Sequence, residues 1–322
     1  MALYVGGTVN FGDNEEASPV EGDIWYDGGK FYFGTSISFP GVWSSGGNLS
    51  RTRQAPAGAG TQTAGLCMGG EYQPDTETNI TEEYNGTAWS NGGNLATARK
   101  ELAGAGTQSA GLCTGGYSDS SGAQDVTEEY NGSAWSAGGD FGTARTALAG
   151  CGTQSAGLCM GGHGPSNVTE EYNGTSWSSG GILATAREYL AGAGTQSAGL
   201  CMGGNGPSNV TEEYNGTSWS TGGNLGTARG YLAGGGTQSA AFCTGGFISY
   251  QASNITEEYD GSAWQSGGNL LTAVFTPGAA GTQSSGLCIG GYDANYSYSN
   301  VTEEYNPGPS SHDELFTASS GV

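Results

Sequence analysis

Leu102-Ala103-Gly104-Ala105-Gly106-Thr107-Gln108, then Gly111-Leu112-Cys113-Thr114-Gly115-Gly116, then Val126-Thr127-Glu128-Glu129-Tyr130 and finally Trp135 form one copy of a unit that the chain repeats. Gly-Thr-Gln recurs with its threonine at Thr61, Thr107, Thr153, Thr195, Thr237 and Thr282, a period of 42 to 46 residues. Each copy divides into four short strands, a to d. Between c and d stands Asn-Gly, at Asn85-Gly86, Asn131-Gly132, Asn173-Gly174 and Asn215-Gly216, with Asp260-Gly261 in the fifth copy. That dipeptide predicts a two-residue type I′ hairpin, whose two central residues both need positive φ. Strand a, built almost wholly of glycine and alanine, suits a crowded innermost position beside a central channel.

Composition agrees with an all-β chain. Of 322 residues 63 are glycine, too many for long helices, and their regular spacing argues against a disordered or collagen-like chain. Thirty acidic residues against eight basic ones give a net charge of -22, which repels a phosphate backbone, so nucleic acid is not expected as a partner. No run of 18 apolar residues occurs, and Met1-Ala2-Leu3-Tyr4 lacks the basic and apolar regions of a signal peptide; neither membrane insertion nor export by that route is expected.

An apolar stretch ending in Gly-Gly, followed by a tyrosine and a tryptophan about five positions apart, as in Tyr84 to Trp89, resembles the kelch repeat over residues 41–306. The resemblance implies a β-propeller, commonly a recognition platform. The ends of the array predict how the ring closes. Trp43 precedes the first complete unit, and the last Glu-Glu-Tyr has no tryptophan after it. Asn306-Pro307 replaces Asn-Gly there, and proline cannot take the positive φ of the second turn position. The segment Gly41-Val42-Trp43 is therefore expected to supply strand d of the last blade, leaving no open edge. The expected fold is an all-β, six-bladed β-propeller of four-stranded antiparallel blades closed by an N-terminal strand d. It divides the chain into an N-terminal hairpin or docking segment, 1–40, the propeller, 41–306, and a C-terminal tail, 307–322.

Several repeated residues invite a chemical reading and have a structural one. Trp43, Trp89, Trp135, Trp177, Trp219 and Trp264 occupy the same place in every blade, which favours packing between blades over a sugar-stacking surface. Cys67, Cys113, Cys159, Cys201, Cys243 and Cys288 fall once per blade on strand b, with Cys151 extra on a strand a. Sheets about 10 Å apart keep such positions from bridging, so buried free thiols are expected. With only His163 and His312 in the chain, no metal or cofactor site is expected and no serine–histidine–acid set can be assembled. The paired glutamates, from Glu82-Glu83 to Glu303-Glu304, point to opposite faces of their strand and cannot share a substrate. Arg53, Arg99, Arg145, Arg187 and Arg229 stand eight residues before each Gly-Thr-Gln threonine, where the sixth unit has Val274. Each guanidinium is expected to bind a strand-c glutamate as an internal ion pair.

Unit length varies in one place, the b–c loop, which holds nine, nine, five, five, eight and nine residues in the six units. A constant scaffold with one variable set of loops points to a binding face. Tyr72, Tyr117, Ser118, Asp119, Phe247, Tyr250, Tyr292, Asp293, Tyr296 and Tyr298 mix aromatic area with short polar groups, as adaptable recognition surfaces do. The alternative is a set of plain solvated connections.

The string Gly22-Asp23-Ile24-Trp25-Tyr26-Asp27, within a stretch that reads as a hairpin with a Gly28-Gly29 turn, resembles short modules of phage tail-fibre and other virion proteins. Repeats containing Thr-Glu-Glu-Tyr-Asn-Gly and Ala-Gly-Ala-Gly-Thr-Gln are similar to those of marine bacteriophage virion proteins. The resemblance implies assembly in a host cytoplasm and a place on the virion. Residues 1–40 would dock to other virion proteins, and the loops would face outward. The expected role is non-enzymatic: a tail-fibre-type appendage whose b–c loops recognise a host-surface glycan or protein. The alternative is a structural decoration or adaptor protein that binds other virion subunits. A homo-oligomer is compatible with either.

Overall fold

Strand a of the first blade, Ala57–Thr61, alternates alanine with glycine because a neighbouring backbone fills the space of a side chain: a methyl on Gly58 would stand 2.2 Å from the carbonyl oxygen of Ala279, in the sixth repeat. The computed structural model describes residues 24–27, 30–38, 41–306, 308 and 310–316. Among them there is no helix, and so none long and apolar enough to cross a membrane. Residues 41–307 form one unit, a six-bladed β-propeller.

Blade 1 runs Ala57–Thr61, Ala64–Met68, Thr81–Tyr84 and Trp89–Asn91, each strand antiparallel to the next. Blades 2 to 5 repeat it, with innermost strands Ala103–Thr107, Ala149–Thr153, Ala191–Thr195 and Ala233–Thr237. Blade 6 takes Gly278–Thr282, Ser285–Ile289 and Thr302–Asn306 from the end of the array and Val42–Ser45 from its start, with Trp43 opposite Tyr305 and Val42 opposite Asn306. The displaced tryptophan is thus the missing strand d.

The apolar core lies between blades rather than at the centre. Ala57, Leu66 and Met68 of blade 1, for example, pack with Leu102, Cys113 and Tyr130 of blade 2 and the half-buried Trp135. Three side chains fasten each blade to the one before it. The tryptophan of strand d donates its indole N–H to the threonine that opens strand c of the preceding blade, at 2.9 Å for Trp135 to Thr81, Trp89 to Thr302 and Trp43 to Thr256. Its ring lies 4.8 Å from that of the tyrosine on its own strand c, in the case of Trp135 and Tyr130. That tyrosine donates its hydroxyl to the second glutamate of the preceding blade, as Tyr130 does to Glu83 at 2.6 Å. The glutamine of Gly-Thr-Gln reaches two carbonyls of the preceding blade, Gln108 to Gly65 at 3.0 Å and Tyr84 at 2.7 Å.

The first glutamate of each pair serves within its blade. Arg99 binds Glu128 at 2.9 Å, Arg145 binds Glu170 and Arg187 binds Glu212 at 2.8 Å, Arg229 binds Glu257 at 2.9 Å, and Arg53 binds Glu82, all with both partners buried. The Arg99 guanidinium also donates to the carbonyls of Gly115 and Val126, at 2.9 and 2.7 Å, so it closes the neck of the b–c loop. A buried charge is tolerable only when paired and hydrogen-bonded in this way. All seven cysteines are free and buried. Burial pushes their thiols up, Cys67 to about 11.

The c–d connection differs from the expected type I′ turn. Tyr84 pairs with Trp89, which leaves four residues, Asn85 to Ala88, in the loop. Only Gly86 has positive φ, at 88°, and the side-chain Oδ1 of Asn85 accepts the backbone amides of Thr87 and Ala88 at 3.0 and 2.9 Å. A two-residue turn would have set Tyr84 opposite Thr87, breaking the tyrosine–tryptophan register on which the blade contact depends. The asparagine side chain satisfies the wider loop instead.

Residues 1–40 and 308–322 form a second unit. Ile24–Asp27 pairs with Lys30–Ser38, the hairpin expected around Gly28-Gly29, and Lys30–Ser38 pairs in turn with Ser310–Phe316. The stretch read from sequence as a separate tail thus contributes a strand to the N-terminal sheet. Residues 1–23, which hold most of the proposed docking segment, lie outside the described residues.

Candidate binding face

Three residues link each ion-pair arginine, or Val274 in the sixth unit, to strand a, and these short links build one mouth of the propeller. They are Gln54-Ala55-Pro56, Lys100-Glu101-Leu102, Thr146-Ala147-Leu148, Glu188-Tyr189-Leu190, Gly230-Tyr231-Leu232 and, after Val274, Phe275-Thr276-Pro277. The third residue of a link is apolar, and Leu102 enters the core between blades. The first residue pairs with the one that follows the strand-b Gly-Gly: Gln54 with Glu71, Lys100 with Tyr117, Gly230 with Phe247, Phe275 with Tyr292. His163 donates its amide to Thr146, and Asn205 its amide to Glu188. Every b–c loop is therefore tied at its root to a link.

The middle residue of each link is held at positive φ, between 49° and 57°, although none is glycine or asparagine. Such a conformation costs on the order of 1 kcal/mol or more. A closed circle of backbone hydrogen bonds holds it. Glu101 donates to Ala55, Ala147 to Glu101, Tyr189 to Ala147, Tyr231 to Tyr189, Thr276 to Tyr231 and Ala55 back to Thr276, at 2.8 to 3.1 Å. These six residues rim a central hollow of about 130 Å³ floored by the starts of the innermost strands. Pockets that engulf small molecules usually run to about 300–1,000 Å³, so a ligand of that size is met on the rim and not enclosed.

The scaffold has six-fold regularity, but the rim has two unlike halves. On blades 4 to 6 aromatic rings form an unbroken path: Tyr189 stacks on Tyr231 at 4.0 Å, Tyr231 meets Phe247 and Phe275 edge-on at 6.1 and 6.3 Å, and Phe275 stacks on Tyr292 at 5.2 Å. Tyr296 touches Phe275 edge-on at 5.9 Å, and Tyr292 lies 4.6 Å from Tyr298. Blades 1 and 2 carry a polar network. Glu71, buried, accepts from Gln54 and from Lys100, both at 2.5 Å. Burial opposes the Lys100 charge, but its carboxylate neighbours win and raise its pKa. Glu101 accepts from Thr146 at 2.7 Å and from the Tyr189 hydroxyl at 3.0 Å, joining the two halves. Burial and the Glu101 charge push the Tyr189 phenol up.

The residues singled out in the sequence take different parts. Tyr250 and Tyr296 are 85% and 57% exposed, both on backbone of positive φ, and Tyr296 donates to the Tyr250 carbonyl at 2.9 Å. Asp119 is exposed, and its amide donates to Glu77 at 2.9 Å. Tyr72, Tyr117, Phe247, Tyr292 and Asp293 are half-buried. The Arg51 guanidinium lies 5.2 Å from the Tyr72 ring and the Lys100 ammonium 5.8 Å from Tyr117. Asp293 caps its own loop by accepting the amides of Asn295 and Ser297. Tyr298 and Ser118 are buried, not presented. Tyr298, 6% exposed, donates to Asp75 at 2.6 Å and to Glu71 at 3.3 Å, bridging the loops of blades 6 and 1. Ser118 packs inside its hairpin against Ser120.

Glu101, Tyr189, Tyr231 and Phe275 were missed because they lie in the links and not in the loops that vary in length. Their signal is composition: the first two positions of a link change in nearly every unit, while the position before them is arginine in five units of six and the one after them is leucine or proline in all. Among the described residues no group of three or more histidine, cysteine, aspartate or glutamate side chains is placed to hold a metal.

No protein-family model and no curated protein matches the chain. Among solved structures the fold is widely shared. The structure of YjhT is similar with a TM-score of 0.65 and 12% sequence identity, over 80% of this chain and 96% of YjhT. At that identity the likeness establishes the propeller fold alone.

Proposed function

We propose that this chain is a kelch-like, non-enzymatic recognition module of a phage particle, a tail-fibre-type appendage that binds a host-surface glycan or protein through the face just described. The observation that carries the recognition reading is the unequal rim: the same backbone position bears alanine on blades 1 and 3 and tyrosine on blades 4 and 5, and the adjoining Phe275 and Tyr292 continue the aromatic path onto blade 6. Folding asks nothing of the Tyr189 and Tyr231 rings that Ala55 and Ala147 do not satisfy at the same position, so their area is available for a ligand. Tyrosine and phenylalanine supply contact area at small entropic cost, and the carboxylates and amides beside them supply orientation. The cysteines, buried and with raised pKa, are unsuited to act as nucleophiles. Placement on a phage particle rests on the likeness of the Gly22–Asp27 string and of the Thr-Glu-Glu-Tyr-Asn-Gly repeats to virion proteins.

The test is binding of the purified chain to host-cell envelopes and to a glycan array, beside a Tyr250→Ala/Tyr296→Ala variant. Saturable binding that the variant loses at least tenfold supports the proposal. Binding to other virion subunits with none to host surfaces replaces it with the decoration or adaptor role.

A further inference from the structure

We propose that the mouth of the central hollow receives a basic side chain, lysine or arginine, from a protein partner, with its charge set between Glu101 and the stacked rings of Tyr189 and Tyr231. This rests on the recognition reading and narrows the group recognised.

Glu101 sits at the rim with both carboxylate oxygens engaged by neutral hydroxyls, those of Thr146 and Tyr189. Among the described residues no lysine or arginine lies within ion-pair distance of it. The adjacent Lys100 is turned toward Glu71 and Glu77 at 2.5 and 3.9 Å. Glu188, on the next link but one, adds a second carboxylate. Its partners are His163, the Gly164 amide and the Asn205 amide group, at 2.7, 3.1 and 3.2 Å. Beyond burial, the charges of Glu188 and Glu101 raise the Tyr231 phenol, which places both carboxylates within electrostatic reach of the ring pair. The faces of stacked tyrosines are electron-rich and attract a cation. Rings and carboxylates thus favour one sign of charge at one spot, on a chain of net charge -22.

The side chains at this spot are not needed to build it. Ala55 and Ala147 hold the same rim position with the same backbone bonds, so the circle closes without Glu101, Tyr189 or Tyr231 side chains. Shape narrows the choice of cation. A mouth that opens on a hollow of about 130 Å³ admits one slender, unbranched side chain, whose charged head comes first to the rim. A sugar ring fits that outline less well.

The experiment titrates the full chain, with its tyrosines isotope-labelled, with N-acetyl-lysine methylamide, N-acetyl-arginine methylamide, the uncharged N-acetyl-norleucine methylamide and glucosamine, read by NMR. Saturable shifts of Tyr189 and Tyr231 with a basic derivative are expected, at least tenfold tighter than with norleucine. The Glu101→Gln chain, checked for an unchanged melting temperature, is expected to lose that preference, and added salt to weaken binding. Equal response to norleucine, no saturable shift, or a response to glucosamine without one to either basic derivative overturns the proposal. Host-surface binding that survives Glu101→Gln leaves the recognition reading standing while this one falls. A lysine response in a chain that binds no host surface does the reverse.

Discussion

Val274 stands in blade 6 at the position from which, in the five other blades, an arginine binds the glutamate equivalent to Glu303. Glu303 is buried and accepts the amides of Leu271 and Thr272 at 2.7 and 2.9 Å, with no cation beside it among the described residues. Burial raises its pKa above the ordinary carboxylate value, an effect the two amides only partly offset. The folded chain therefore holds this proton more tightly than the unfolded one. The stability that comes from Glu303 is complete below the unfolded pKa and is lost as pH rises through the raised, folded value. Val274→Arg is expected to stabilise the chain by about 1–3 kcal/mol at pH 8 and by much less at pH 4. Thermal unfolding at the two pH values checks it, and an equal gain at both would refute the account.

Breaking one of the five existing pairs has the opposite effect. Arg99→Leu leaves Glu128 charged and buried, at a cost of about 3–5 kcal/mol. Adding Glu128→Leu is expected to recover a large part, since an apolar pair of similar volume replaces an ion pair without a stranded charge. Urea unfolding of the two variants decides; a double variant no better than the single one would sink the reading.

The indole of Trp43 is buried, whereas its five counterparts are partly exposed. Trp43→Ala is expected to lose about 3–5 kcal/mol, as large core truncations do, and Trp135→Ala distinctly less. A chain starting after Ser45 would leave Thr302–Asn306 as an unpaired edge, which favours association through it. Gel filtration of that chain as a clean monomer would contradict the closure described.

Exposed and buried loop tyrosines should separate cleanly. Tyr298→Phe removes hydrogen bonds to Asp75 and Glu71, so it should lower stability by about 1–3 kcal/mol. Tyr250→Ala and Tyr296→Ala should leave stability within about 0.5 kcal/mol and act on ligand binding alone. Melting temperatures beside binding curves test the division.

Much of this architecture could be read from the repeat, because each landmark has a local reason to recur. Trp43 without a tyrosine before it, and Tyr305 without a tryptophan after it, locate the seam without coordinates. What escaped is geometry set between blades. Asn85-Gly86 is a strong local signal for a tight turn, yet the Tyr84–Trp89 register overrules it. Tyr298 reads as a loop aromatic, but its burial depends on Asp75 and Glu71, more than 200 residues earlier. Positive φ at Glu101 or Tyr189 has no signature in residue type, since it is imposed by the circle of backbone bonds around the axis.

Val42 and Asn306, the two ends of the propeller chain, lie side by side in one antiparallel pair. A tether attached at Val42 and Asn306 would load that pair first and peel its bonds one after another, never shearing the blades. The mechanical strength of the propeller between these two residues is thus set by a zipper of four residue pairs, and tension applied there would open the ring at its seam while its other sheets were still intact.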